Sequence, residues 1–409
     1  MSTADAALKN FYLDPVREQI NNKNVLLEYV SKGKVDVEGR YAVLSLHTRR
    51  NGSLGARVDG ADLPGTSGAT TSIGQQGYAE ERVPLKQLFG RIQVDERVLK
   101  AAKTNRGSFI NVMNVETKGL AEDMKKDFNR QLFGDGSGIV VGIGTDAGGD
   151  NTVPLATATT RVQQRQVEIG MQIDIGTVAD ADVIADFRTV VGVSFAALPG
   201  TITVDGAALA ATTDGTHFLY RAGLSDASAV GVEATGLAAI INNAGVLFNV
   251  DPATEPRWTS YVETALGAIS ELALVRLMNR VNYECGKDPA IFLTSDGVMR
   301  AYSASLLSQK RFVNTLDLKG GFKGLSVGSG NSEAALTDDR DCQTGVVYGI
   351  NSEHLKLHVA GDWEWMDLDG AIWSRQPNKA RYEATLFRFH ELTTDRRNSF
   401  GKFTGVTEA

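Results

Sequence analysis

RGSFINVMNVETKGLAEDMKKDFNRQLFG, residues 106–134, is the stretch from which the architecture can be read. Met113, Leu120, Met124, Phe128 and Leu132 stand three or four positions apart or at near multiples of that spacing, the period of one helical face. Gly134 follows the last of them as a stop. The spacing predicts a helix over 106–133, about 40 Å long at 1.5 Å per residue. A helix of that length is long for a globular protein. Its Met and Phe stripe is packing surface rather than a cofactor box.

On the N-terminal side the period changes. YAVLSLHTRR (41–50) alternates apolar and polar residues as a strand does, and Tyr78 to Val94 forms a second such run. Between them, NGSLGARVDGADLPGTSGATTSIGQQG (51–77) is turn-forming and nearly devoid of large apolar side chains. A loop of that length has no way to bury itself and is expected to be disordered or to rest on a neighbouring molecule. Residues 41–105 hold nine basic and six acidic side chains, so a basic segment projects from a chain of net charge −7. Residues 1–40 balance six basic against six acidic residues. Asp14-Pro15 starts a short helix in an otherwise extended arm, with Val16, Ile20 and Leu27 following at roughly helical spacing.

On the C-terminal side, residues 127–286 contain no Lys, and Ile139 to Ser260 carry 13 acidic and five basic residues. Val, Thr, Gly and Pro in VGVSFAALPGTITVDGAAL (191–209) read as short strands and turns, a β-rich acidic insert over about 139–250. Trp258 to Cys285 reads as helical, with Val262, Leu266, Ile269, Leu272, Leu277 and Val281 near one face and Gly286 as the stop. AIFLTSDGVMRAYSASLL (290–307) is a buried strand, a Ser295 or Asp296 cap and a helix. Beyond Gly320 the chain is mainly strands.

Composition narrows the function classes. Hydrophobic residues make up 42% and charged residues 22%, as in ordinary soluble proteins. No apolar run reaches the length of a membrane span, and Asp5 and Lys9 interrupt any signal-peptide core. The acidic balance argues against a surface devoted to nucleic acid. Cys285 and Cys342 lack the spacing of a zinc or redox site and read as free thiols of a reducing compartment.

Chemical motifs are weak throughout. Gly324-Leu325-Ser326-Val327-Gly328 matches a nucleophile elbow, with Asp338 or Asp367 and His354 or His390 following in the required order. The elbow needs a strand, a tight turn and a helix, whereas GSGNSEAALTDD (328–339) reads as a loop. Gly142, Gly144 and Gly148 lack the helix a dinucleotide site requires and read as turns between strands. His354 and His358 could hold zinc on a helix. In a strand they share a face with Lys356, opposite Leu355, Leu357 and Val359, and are expected to be exposed. Asp367-Leu368-Asp369-Gly370 fails as a calcium loop, because Trp365 and Gln376 occupy its first and twelfth positions. Asp338, Asp339 and Asp341, like the pair Arg396-Arg397, read as solvated charges. No catalytic residue, metal site or cofactor is assigned.

What remains is architectural. ERVPLKQLFGRIQVDERVLKAAK (81–103), the helix and turn of 107–138, WTSYVETALGAISELALVRLMNRV (258–281), FLTSDGVMRAYSASLLSQKRF (292–312) and DWEWMDLDGAIWSRQPNKARYEATLFRFHELTTDRRNSFGKFTGV (362–406) occur in the order found in major capsid proteins of tailed bacteriophages. Together they resemble that family, which has the Hong Kong 97-type fold. The match covers about three quarters of the chain and is poorest over 139–257.

The resemblance implies an α+β fold with an N-terminal arm (1–40), an extended β-hairpin loop (41–90) and a peripheral domain (91–257) that holds the spine helix and the insert. An axial domain (258–349), the peripheral return strands (350–395) and an axial end (396–409) complete it. It implies a non-enzymatic viral structural protein of the virion, assembled in the host cytoplasm into hexamers and pentamers of an icosahedral capsid around double-stranded DNA, which it contacts non-specifically. Other partners would be a separate scaffolding protein, a portal and a decoration protein, with no membrane. Arg49, Arg50 and Arg57 are the candidate contacts with acidic neighbouring subunits. Some relatives cross-link through a loop Lys, but none occurs here between Lys34 and Lys86. An encapsulin-type compartment shell is the alternative, and a serine hydrolase using Ser326 a remote one.

Overall fold

The computed structural model describes residues 25–59 (except 32, 33, 38, 40, 52, 55 and 57), 76–96, 106–180, 184–223, 232–307, 315–317, 323–329, 332–367 and 372–409. Helix α1 (Val25–Ser31) and strand β1 (Lys34–Asp36) lead into a hairpin of β2 (Tyr41–Arg49) and β3 (Gly77–Pro84). Strand β4 (Lys86–Asp95) and the long helix α2 (Arg106–Phe133) follow. The next unit comprises β5 (Ile139–Gly142), β6 (Thr152–Pro154), α3 (Arg161–Gln164), β7 (Gln172–Gly176), β8 (Ala185–Ser194), β9 (Thr201–Val204) and β10 (Phe218–Arg221). Then come α4 (Leu237–Ile240), β11 (Tyr261–Glu263), α5 (Glu271–Cys285), β12 (Ile291–Thr294) and α6 (Asp296–Leu307). The chain continues through β13 (Thr315–Asp317), β14 (Lys323–Ser329), β15 (Ser332–Asp338), β16 (Val347–Ile350) and β17 (Leu355–Trp365). It ends with β18 (Ser374–Arg375), β19 (Arg381–Thr394) and β20 (Gly401–Phe403).

Three sheets form the body. In the first, the 14-residue β19 pairs antiparallel with β4 and β17, while β18 and β1 extend it. Helix α2 lies across one face. Met124, Phe128 and Leu132 pack there with Ile92, Trp363 and Leu386, as the Met and Phe stripe requires. Phe128 is fully buried, edge-on to Trp363 and His390 at ring distances of 6.3 and 4.7 Å, with the Arg388 guanidinium 4.9 Å above it. Phe128→Ala is expected to cost about 3–5 kcal/mol, read as a lower urea midpoint, because a large cavity opens where α2 meets the sheet.

The second sheet runs β5-β10-β7-β8-β9-β6 and closes a core of its own around Val141, Val153, Ile175, Val190, Ile202 and Leu219. This is the β-rich insert; Gly148 is a turn residue, at φ 75°, whereas Gly142, expected in a turn, ends strand β5 opposite Phe218. The third sheet runs β11-β20-β16-β12-β15-β14-β13. Every residue of β12 is buried. Ile291 and Leu293 face the α2 core, while Phe292 faces Leu274, Leu277 and Met278 of α5.

Several sequence expectations are corrected. The helix expected over Trp258–Cys285 begins only at Glu271, where the Ser270 side chain accepts from Ala273 N–H. Upstream, Ala265 and Gly267 turn to φ 56° and 74°, and β11 pairs with β20. Val262, Leu266 and Ile269 mimic a helical period while lying in an edge strand and the turn after it. The loop expected after Ser326 is largely strand β15, paired with both β14 and β12.

The extended arm also differs from expectation. Asp14-Pro15, Val16 and Ile20 lie outside the described residues. Val25, Leu26, Leu27 and Val30 of α1 are buried in the main core, and β1 pairs with β17, so this part of the arm is integral to the body.

Three sets of contacts close the junction behind α2. At the helix end, Gly134 N–H donates to the Arg130 and Gln131 carbonyls. The first residues of α4 then abut it, with Ala238 N–H donating to Gly134 O at 3.2 Å. At the other end of α4, the Arg397 guanidinium is buried among backbone carbonyls. Asn129 on α2 donates to Asp339 and Asp341 at 3.1 and 2.6 Å. Arg397 and Asp339, expected to be solvated charges, are therefore structural clamps.

Candidate assembly surfaces

The hairpin β2–β3 has two different faces because residues directly opposite each other share a side of the ribbon. Ala42 pairs with Val83, Leu44 with Glu81, and Leu46 with Ala79. Ala42, Leu46, Glu81 and Val83 are buried, so this face is seated on the body of the same chain. Arg82 N–H donates to Phe248 O at 3.0 Å and fixes the seat laterally. On the outward face, Tyr41 (48% exposed), Val43 (60%) and Tyr78 (64%) form an apolar strip around the Arg82–Glu80 ion pair. Large exposed apolar side chains in a row mark an interaction surface more than a solvated one.

The candidate arginines separate. Arg49 is held within its own chain, donating to Glu255 Oε1 at 2.7 Å and to Thr254 O at 2.8 Å. Arg50 is exposed at the end of β2. Arg57 and most of 51–77 lie outside the described residues.

Beneath α2, burial opposes ionisation of Asp127, yet Arg130 and Arg221 outweigh it and hold its pKa at about 2. Arg221 ends β10, so the ion cluster ties the insert to the long helix at 3.2 Å. Glu233 completes it against Arg130.

The motif residues do not assemble a reaction centre. Ser326 lies within an antiparallel ladder opposite Ala335, without the turn and helix of an elbow. His354 is half-buried and contacts Asp395 at 2.7 Å. His358 is buried, not exposed, and burial pushes its pKa down. Leu355, Leu357 and Val359 are buried on one face of β17 as the alternation requires, but His354 lies in the turn before the strand and the second face is covered at His358. Among the described residues no group of three His, Cys, Asp or Glu side chains could hold a metal ion, and no helix is long and apolar enough to cross a membrane. Sequence reasoning missed Glu81, Asn129 and Arg397, since nothing local distinguishes a buried charge from a solvated one.

No protein-family model matches the chain, and no curated protein matches it. Among solved structures, the capsid protein of cyanophage A-1(L) superposes with a TM-score of 0.51 at 13% identity, covering 95% of this chain and 94% of that one. The SrpI encapsulin of Synechococcus elongatus reaches 0.45 at 9% identity, covering 91% and 84%. Mycobacterium phage Bobi reaches 0.43 at 9%, covering 95% and 92%. The likeness to the cyanophage shell takes in nearly the whole of both chains, and the chain has the Hong Kong 97-type capsid fold.

Proposed function

We propose that the chain is the major capsid protein of a tailed bacteriophage, a non-enzymatic subunit that self-assembles into an icosahedral shell around double-stranded DNA. The observation that carries this reading is the match of nearly the whole chain to nearly the whole of a phage capsid protein. The hairpin with its outward strip of Tyr41, Val43 and Tyr78 supports it, because that strip is apolar surface without a core of its own. In this reading the first sheet with α2 is the peripheral domain, and the third sheet with α5 and α6 is the axial domain. Hexamers and pentamers of one chain form the shell, and many repeated weak interfaces stabilise it. A separate scaffolding protein, a portal and a decoration protein are its further partners. The virion is its location.

Negative-stain electron microscopy of the purified chain tests the reading. Closed shells or flat hexagonal sheets are expected, and only small compact particles would refute self-sufficient assembly. DNA inside shells recovered from infected cells separates the capsid from an encapsulin, which would hold a protein cargo. Charge reversal at Arg49, Arg50 and Arg57 together is expected to lower the yield of shells, with Arg50 and Arg57 as the intermolecular contacts. An unchanged yield excludes them. Assembled shells boiled in detergent are expected to run as monomer, since no Lys lies between Lys34 and Lys86. A ladder of covalent oligomers would contradict this.

A further inference from the structure

Glu81 is the least comfortable residue in the hairpin. It points from β3 into the body, has no exposed surface, and neither carboxylate oxygen has a hydrogen-bond partner. The charges on the body that act on it are Asp395, just past the end of β19, and Lys356 on β17. They already serve each other, with Lys356 Nζ 2.9 Å from Asp395 Oδ2 and His354 Nδ1 2.7 Å from Asp395 Oδ1. His358 and Glu391 face each other across β17 and β19 and are also buried. Glu80 and Arg82, the charged neighbours on β3 itself, pair on the opposite, exposed face. Among the described residues no cation is therefore committed to Glu81. An ionised carboxylate without hydrogen bonds in such a place is strongly disfavoured.

We propose that the hairpin is seated on the body by a neutral Glu81 and lifts from it when that carboxyl ionises, so that its seat is a proton-operated hinge. The inference concerns the free subunit and does not rest on the shell reading. Ionisation leaves two outcomes, a bare charge in a dry site or a hairpin raised far enough for water to reach it. The restoring force is apolar burial of Ala42, Leu46 and Val83, together with the Arg82–Phe248 backbone bond. The Arg49–Glu255 pair stands at the far end of β2, is exposed on the Arg49 side, and adds little. Lifting therefore begins where Glu81 sits.

The sign follows from the proton count. Burial, with Asp395 adding to it and Lys356 opposing, raises the seated carboxyl from 4.5 to about 8. Lifted and hydrated, it returns to the ordinary value. The seated form thus holds one more proton between these limits, and its advantage is full below pH 4.5 and declines as pH rises to about 8. Between about pH 6 and 8 the opening equilibrium is expected to rise about fiftyfold.

Hydrogen–deuterium exchange of the full chain, expressed as protection factors to remove the intrinsic pH dependence of exchange, measures this directly. Peptides spanning 41–49 and 77–84 are expected to lose protection across that range while those of α5 keep theirs. Glu81→Gln is expected to hold the hairpin closed at both ends of the range. Protection that stays flat in the native chain overturns the proposal, as does an unaltered loss in Glu81→Gln. Should Glu81→Gln not fold, Lys356→Met decides. Removing the one charge that favours the carboxylate is expected to move the opening midpoint to higher pH, and an unmoved midpoint overturns the hinge.

Discussion

Arg397→Ala is expected to lower the stability of the chain by about 4 kcal/mol, read as a fall in the urea midpoint, because the substitution removes every guanidinium donor and leaves a buried set of carbonyl acceptors without it. Its guanidinium donates to the carbonyls of Ala239, Ile240, Ala244, Gly245 and Trp258 at 3.0–3.4 Å. Ala239 and Ile240 end α4, where no further helical N–H is available, so Arg397 serves both carbonyls, sharing that of Ile240 with Asn242 N–H and Ser260 Oγ. Its own carbonyl accepts from Ser260 Oγ at 2.6 Å. Burial lowers its pKa to about 10, which leaves it charged at neutral pH. Arg397→Lys keeps the charge but has three donors in place of five and lacks the planar fork. An intermediate loss is expected there. A loss under about 1 kcal/mol for Arg397→Ala would mean that water replaces the guanidinium at these carbonyls.

Gly236→Ala is expected to be of comparable damage, about 3 kcal/mol or more and with loss of soluble protein, for a reason that has nothing to do with glycine's backbone freedom. Its φ is −104°, which any residue adopts. An added Cβ would sit 2.5 Å from Gly134 O and 2.7 Å from Leu132 O, with Gln131 O closer still. These are backbone atoms of the last turn of α2, and they cannot retreat without dragging the helix across the first sheet. Gly286→Ala is the control. Gly286 has φ 80° and open space around the missing Cβ, so only conformational strain of about 1 kcal/mol is expected. Equal losses at the two sites would contradict the clash.

Both positions lie at the same junction, with Gly236 at one end of α4 and Arg397 at the other, and each is ordinary in the sequence. A glycine among GVEATGLAAI and an arginine in TDRRNS carry no local sign of what approaches them. Helix α2 was legible because its period is written in its own 28 residues. The strands of the hairpin and the insert were legible for the same reason, alternation and β-branched residues being local. Where a local pattern was misleading, a longer-range pairing had prevailed. Strand β11 imitates a helical period yet follows β20, which lies some 140 residues further on. Strand β15 is rich in Ala and acidic residues and reads as a loop until β12 and β14 flank it.

The sequence by itself determined the order of elements, the long helix, the acidic β-rich insert, the two strands of the hairpin and, through them, the resemblance to phage capsid proteins. Only the tertiary structure decided which charges are buried. Glu81, Asp339, His358 and Arg397 all sit in stretches that read as surface, because periodicity reports the first face an element buries and not what later covers the second. That cover comes from segments distant in the chain, and its cost or gain depends on the partners they bring: carbonyls for Arg397, an amide for Asp339, and no hydrogen-bonding group for Glu81.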